Sequence, residues 1–237
     1  MSVLLLDIGN STTVSSIYDG SDLTTIQNCL TTDIKSFLDK LDLNGIQRFV
    51  VSSVVPHLNE LIQSYFHNIY FISSDSIPYL SIDIESPLQV GADRLVTALA
   101  AHALYKRECL IVDSGTAVTF ERVSKDCRYL GGAIFPGMGI ASKSLHDYTA
   151  QIPLIWVEKC DDLIGGSTQA AVESGLFHGY QVMINGMIQK FKQETPDLYV
   201  IGAGNGLAVF EDFLDIDCFD SYLQLRGLAI VSDSLNV

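Results

Sequence analysis

Val3-Leu4-Leu5-Leu6-Asp7-Ile8-Gly9-Asn10-Ser11-Thr12 is an apolar run that ends in a carboxylate, a glycine and three small polar residues. A buried strand delivers a phosphate-contacting turn in this way. The glycine can take positive φ and lets backbone N–H groups approach an anion, while the aspartate can hold a cation or its water shell. The same order returns at Leu110-Ile111-Val112-Asp113-Ser114-Gly115-Thr116-Ala117. One copy alone is equally the mark of a plain β-hairpin with an Asx turn. Two copies at corresponding strand ends point to two similar half-molecules, each offering one turn to a shared cleft with a nucleotide as its natural occupant.

A chain of 237 residues can bury a substantial core as one large domain or as two small ones sharing a cleft, and the repeat favours two. Apolar residues make up 48% and charged residues 18%, which excludes a disordered chain. The formal net charge of −14 argues against nucleic acid or a membrane surface as partner, since both are polyanions. Attraction for a nucleotide must then be local, from backbone amides, a divalent metal and a few placed cations. The five cysteines, Cys29, Cys109, Cys127, Cys160 and Cys218, are odd in number and form no CxxC pair, as expected of reduced thiols in a cytoplasmic protein. His57, His67, His102, His146 and His178 show no metal-ligand spacing. The first apolar run lacks a basic flank and is interrupted by Asp7, so it reads as neither signal peptide nor membrane span.

After the first turn, residues 14–18 and 23–26 read as strands joined by Asp19-Gly20, a hairpin signal. Residues 32–41 carry apolar positions at helical spacing, 48–55 form a β-branched run of the kind parallel sheets bury, and Pro56 opens a helix to about His67. With a strand at 69–72 this gives a βββαβαβ order, hence a mixed sheet with helices against it. Gly91-Ala92-Asp93-Arg94 opens a long apolar helix through Tyr105. Asp93 reads either as a helix N-cap or as part of a site. Arg94 in the first turn, where the macrodipole disfavours a cation, suggests an anion nearby. The second half again leads with three strands, at 110–113, 117–123 and 128–135. Gly131 to Gly139 then packs four glycines and a proline, a path suited to passing tightly beside a ligand. Gly165-Gly166-Ser167-Thr168 precedes a helix over about 169–192, with Ser167 or Thr168 as its cap. A strand at 198–201 leads through Gly202-Ala203-Gly204-Asn205-Gly206 into another helix, and residues 223–231 read as a terminal helix.

Taken together, the stretches at Asp7–Ser11, Gly91–Arg94, Asp113–Ala117, Gly131–Gly137 and Leu225-Arg226-Gly227 resemble, in order and spacing, the motif set of type III pantothenate kinases. That family lies in the superfamily of sugar kinases, actin and heat-shock chaperones. The resemblance implies an α/β protein of two ribonuclease H-like, actin-like domains, residues 1–105 and 106–237, each a mixed sheet with flanking helices and with ATP in the cleft between them. It implies ATP-dependent phosphorylation of pantothenate, the first committed step toward coenzyme A. Asp93 would be the general base facing the pantothenate hydroxyl, with Gly91, Ala92 and Arg94 lining the pocket and Thr168 contributing from the other subunit's or other domain's side. Asp7, Ile8, Gly9, Asn10, Ser11, Thr12 and Thr13 would cradle the ATP phosphates, with Asp7 toward Mg²⁺, and Thr116 would bind nucleotide. Asp113 would hold a monovalent cation, K⁺ or NH₄⁺, and the family is typically a homodimer. The long apolar helix after Arg94 reads as a further surface for a second copy. Val14 stands where some members carry a lysine, and Ile84 where some carry a tyrosine. Two other readings share these residues: another small-alcohol or sugar kinase of the same fold, and a catalytically silent nucleotide-binding regulator.

Overall fold

A near-continuous aliphatic run forms a strand where both faces of a sheet are covered, and Val3–Leu6 is such a run within β1 (Ser2–Ile8), central in its sheet. The computed structural model describes residues 2–235. β1 pairs antiparallel with β2 (Thr12–Tyr18), which pairs antiparallel with β3 (Leu23–Leu30). After α1 (Ile34–Leu38), β4 (Ile46–Ser53) returns parallel to β1, and after α2 (Asn59–Tyr65), β5 (Ile69–Phe71) adds parallel to β4. The sheet order is β3-β2-β1-β4-β5, the mixed sheet that the βββαβαβ reading implies.

Alternation along β1 divides the core. Leu4, Leu6 and Ile8 pack with Phe49, Val51, Ile34, Leu38 and Ile62 on the face covered by α1 and α2. Following β6 (Ser81–Ile82), helix α3 (Ala92–Tyr105) buries every residue from Leu95 to Ala101. The helix predicted at 32–41 is shorter, a 3₁₀ turn at Thr31–Asp33 followed by α1. Its start is diverted because Thr31 donates its N–H to Ser11 O and its hydroxyl to Gly9 O.

In the second half, β7 (Cys109–Ser114), β8 (Ala117–Val123) and β9 (Arg128–Pro136) repeat the three-strand start, followed by α4 (Met138–Asp147) and α5 (Thr168–Glu194). β10 (Tyr199–Ala203) runs parallel to both β7 and β11 (Cys218–Phe219), and β6 adds parallel to β9, giving the order β11-β10-β7-β8-β9-β6. Leu110, Val112, Val118 and Phe120 of this sheet bury against Leu176, Phe177, Tyr180, Ile184 and Ile188 of α5. Residues 205–213 form a 3₁₀ helix in place of the predicted α-helix. Leu207, Phe210 and Phe213 pack on the core from one side, and a repeat of three residues per turn is what aligns positions three apart.

The terminal helix α6 (Leu223–Ser234) packs on α3, β1 and β4. Gly227 makes the approach possible: a Cβ there would overlap the Val96 carbonyl. The apolar circumference of α3 is thereby accounted for within the chain, because α3 closes against α6 and the sheet, so it gives no evidence of a second copy. Among the described residues the chain divides into two units. One comprises residues up to Lys106, Val123–Gly131 and those from Tyr222 onward; the other comprises Arg107–Arg122 and Gly132–Ser221. No described helix is long and apolar enough to cross a membrane.

Candidate active site

In the first unit the turn after β1 is tied down by backbone. Gly9 donates its N–H to Thr12 O at 3.0 Å, Val54 donates to Ile8 O at 3.1 Å, and the Thr13 and Thr31 hydroxyls lie 3.2 Å apart. Ile8 and Thr13 are buried while Asn10, Ser11 and Thr12 are exposed at the tip. Of the stretch Asp7–Thr13, then, Ile8 and Thr13 give the turn its footing, and the outward surface is backbone plus the short polar side chains of Asn10, Ser11 and Thr12. Asp7 stands in register with Ser52 on β4, near the end of both strands.

The end of β4 also touches the second motif. Val54 Cγ1 would lie 3.3 Å from a Cβ at Gly91, and such a Cβ would overlap Asp93 Oδ1 outright. Gly91 is therefore glycine because the Asp93 carboxylate fills the space of its missing side chain. Gly91, not Asp93, is the N-cap of α3, with no side-chain cap hydrogen bond. Asp93 sits inside the first turn, where its Oδ1 accepts the Arg94 N–H at 2.8 Å. That satisfies one of the orphan amides of a helix start without the N-cap geometry expected of a pure cap. Thr97 fixes the same turn by donating its hydroxyl to Asp93 O at 2.6 Å. Burial pushes the Asp93 carboxyl above the usual carboxylate range, and the Arg94 N–H and guanidinium only partly offset it. Arg94 in turn places its guanidinium carbon 5.8 Å from the Tyr129 ring centroid. Ala92 is buried behind this turn.

In the second unit two glycine turns converge on the turn that ends β7. β10 lies parallel beside β7 with Ala203 opposite Asp113, so their C-terminal ends coincide. Gly204 has φ +77°, and a Cβ there would overlap Asp113 Oδ1 and stand 2.7 Å from Ser114 O; one at Gly206 would stand 2.6 Å from Ser114 O. Gly137 donates its N–H to Thr116 O at 3.0 Å, and a side chain there would overlap the Gly115 carbonyl. The turn from Asp113 to Thr116 thus lies close against the Gly204–Gly206 and Gly137 backbones, with Gly115 and Thr116 exposed. Thr168 is exposed as the first residue of α5, after the N-cap Ser167, whose hydroxyl accepts the Ala170 N–H at 3.1 Å. Ser174 holds the approach to that helix by donating to Leu163 O at 2.6 Å.

The sequence motifs missed Thr31, Val54 and Tyr129. None belongs to a glycine-rich or charged pattern, and each acts through a partner at least 20 positions away. The β-branched run over residues 48–55 reads as core, and only the parallel pairing of β1 and β4 shows that Val54, near its end, backs both the first turn and Gly91.

Residues 3–190 match the family model of type III pantothenate kinase. A type III pantothenate kinase of Hyphomonas neptunium is 35% identical over 95% of this chain and 96% of its own length. Solved structures share the fold. One, from Campylobacter jejuni, is described as a candidate Baf family transcriptional activator (TM-score 0.67, 22% identity, 99% of this chain and 100% of that one). Another is an inorganic polyphosphate/ATP-glucomannokinase from an Arthrobacter strain (TM-score 0.54, 12% identity, 100% and 99%). With a family model spanning most of its length and a relative of this identity over nearly all of it, the chain belongs to the type III pantothenate kinase family.

Proposed function

We propose that this protein transfers the γ-phosphoryl group of ATP to the primary hydroxyl of pantothenate, giving 4′-phosphopantothenate and ADP at the start of coenzyme A biosynthesis. The observation that carries the reading is the Asp93 carboxylate, set within a helix start, raised in pKa by burial, and given its space by Gly91. Phosphoryl transfer passes through a loose, charge-spread transition state, so the protein's work is positioning and neutralisation. The substrate hydroxyl oxygen forms a bond to the γ-phosphorus as the bond to the ADP oxygen breaks, and the hydroxyl proton passes to Asp93. A base whose pKa lies closer to neutrality than an ordinary aspartate's is better matched to that proton. Gly91, Ala92, Arg94 and Thr168 line the pantothenate pocket; the backbone from Asp7 to Thr13 and Thr116 hold the nucleotide.

The residues fit the ions this chemistry uses. Among the described residues no group of three or more His, Cys, Asp or Glu side chains could cage a metal. Mg²⁺ is commonly held by one or two carboxylates together with substrate phosphates, and Asp7 beside a phosphate turn fits that mode. Asp113 Oδ1 and Ser114 O both crowd the same point beside Gly204, oxygen donors of the kind hard cations prefer, and we assign Asp113 K⁺ or NH₄⁺. Either ion neutralises phosphate charge when bound. We infer a cytoplasmic homodimer that binds neither nucleic acid nor membrane, in keeping with the net charge of −14.

Coupled ADP release measured with pantothenate against a panel of sugars tests the reading. Turnover with pantothenate alone is the expected result. Turnover with a sugar instead would make this a sugar kinase of the same fold, and nucleotide binding without turnover of any acceptor would make it a silent regulator.

A further inference from the structure

We propose that Tyr129 is a positioning residue of the substrate pocket, its ring face fixing the direction in which Arg94 presents its guanidinium to the carboxylate end of the substrate. The proposal rests on the reading of Arg94 as a substrate-binding cation, and deepens it.

Arg94 occupies the first turn of α3, where the helix macrodipole opposes a positive charge. A long, flexible cation in that position needs a counter-surface to hold it toward a ligand. The guanidinium carbon stands 5.8 Å from the Tyr129 ring centroid, within the range in which a cation is drawn to the negative face of an aromatic ring. The ring cannot move with it. Tyr129 is 0% exposed and is pinned by its backbone: its carbonyl accepts the Asp83 N–H at 2.9 Å, and it stands in parallel register with Ile82. The chain just beyond it is equally fixed. Gly131 takes φ +82°, and Ile84 Cγ2 lies 3.2 Å from where its Cβ would be. Beside it, Arg128 ion-pairs with Asp83 at 2.9 Å and so closes the strand pair at its rim.

An immobile aromatic face against a cationic fork is a device for preorganisation. The fork is ordered before substrate arrives, so binding loses less freedom at that step. A planar fork so oriented also meets a carboxylate with two N–H groups, which a lysine in the same place would not do. The effect belongs to recognition of the acceptor and not of the nucleotide, and this asymmetry makes it testable.

The experiment replaces Tyr129 with phenylalanine and then with its mono-, di- and trifluorinated analogues by nonsense suppression. Fluorination drains the ring quadrupole while nearly preserving shape, so folding is retained where a Tyr129→Leu variant could lose it. Arg94→Met is measured in parallel. The expected result is a KM for pantothenate that climbs with each fluorine to about 5- to 10-fold, equivalent to about 1 to 1.4 kcal/mol, with kcat and the KM for ATP unchanged. A pantothenate KM flat across the series, while Arg94→Met raises it, would overturn the role of Tyr129 and leave that of Arg94 standing. If Arg94→Met itself leaves the pantothenate KM unchanged, the substrate role of Arg94 fails and the proposal fails with it. Parallel rises for both substrates would reduce Tyr129 to a packing residue and equally overturn it.

Discussion

At the scale of single residues the proposed chemistry turns on Asp93, and its two readings make opposite predictions. A carboxylate that only decorated a helix start would be replaced by asparagine at little cost. As the general base, Asp93→Asn should lose about 10²- to 10⁴-fold in kcat, with ATP binding intact. Stability should move the other way. Burial raises the folded-state pKa of Asp93, so the folded chain binds that proton more tightly than the unfolded chain does. The group's stabilising contribution is full below the unfolded value and is lost as pH rises through the folded value. At neutral pH the ionised carboxylate therefore costs stability, and Asp93→Asn should unfold at the same temperature as the parent or higher, the gap narrowing on acidification. In the parent, the acid limb of kcat/KM should fall above the ordinary aspartate value of 3.8. A mutant keeping more than about a tenth of kcat lies outside the range expected for positioned proton transfer and would return Asp93 to a structural part. Gly91→Ala tests the same geometry from its other side: the new methyl displaces Asp93 Oδ1, so kcat should fall while circular dichroism stays native.

At the scale of elements, the ends of parallel strands do the positioning. β7 and β10 finish side by side, so the Gly204 turn is pressed against the Asp113 carboxylate. Gly204→Ala combines a left-handed φ of +77° with overlap of that carboxylate. With ψ at 148° the position is essentially restricted to glycine, so the change should lower stability by about 1–3 kcal/mol and raise the K⁺ concentration needed for half-maximal activity. Equal rates of the parent enzyme with and without K⁺, NH₄⁺ and Na⁺ would remove the cation from Asp113 altogether. A second latch joins β2 to α6: Tyr18 donates to Asp233 at 2.8 Å, and burial with that bond pushes its pKa to about 12. Its stabilisation is full below the unfolded value of 10.0 and disappears as pH rises toward about 12. Tyr18→Phe should accordingly cost about 1 kcal/mol at neutral pH, read by denaturant titration, and flatten the alkaline loss. Strand and helix order is legible in the sequence because each element carries its own period and punctuation, as the matching bounds of β8 show. Asp93 and Asp113 are legible because their glycines sit beside them or repeat at a strand end. Val54, Thr31 and Tyr129 are not, since their neighbours arrive through pairing of distant strands. The 3₁₀ helix at residues 205–213 is hidden for another reason: apolar spacing of three fits both helix types until the Gly204 φ is known.

At the scale of the whole molecule, the question is what covers the outer face of α5. A groove of about 730 Å³ runs along it, lined by Leu163, Ile164, Gly175, His178, Gly179 and Val182 among others. Leu163, Ile164 and Val182 are 72%, 89% and 70% exposed, and apart from the helix's own neighbouring backbone no described atom lies within 4 Å of where a Cβ would be at Gly175 or Gly179. His178 Nε2 is buried there with no hydrogen-bond partner among the described residues, and such an atom is costly unless something satisfies it. Small residues that admit a close backbone beside large exposed apolar ones mark an interaction surface, and a second copy of the chain is its expected occupant. Thr168 begins the same helix, and the resemblance brings it to the pantothenate pocket from either the other subunit's or the other domain's side. Co-expression of Asp93→Asn and Thr168→Ala chains under two tags decides the matter. If each pocket takes Asp93 from one chain and Thr168 from its partner, one pocket of every mixed dimer is intact. Random pairing of two inactive chains should then restore about a quarter of parental activity. Light scattering should give the mass of two chains, and Val182→Glu should yield single chains with a raised KM for pantothenate. Activity of the mixture no greater than the sum of its parts, or a fully active single chain, would place Thr168 in its own subunit's pocket and leave the α5 face to another partner.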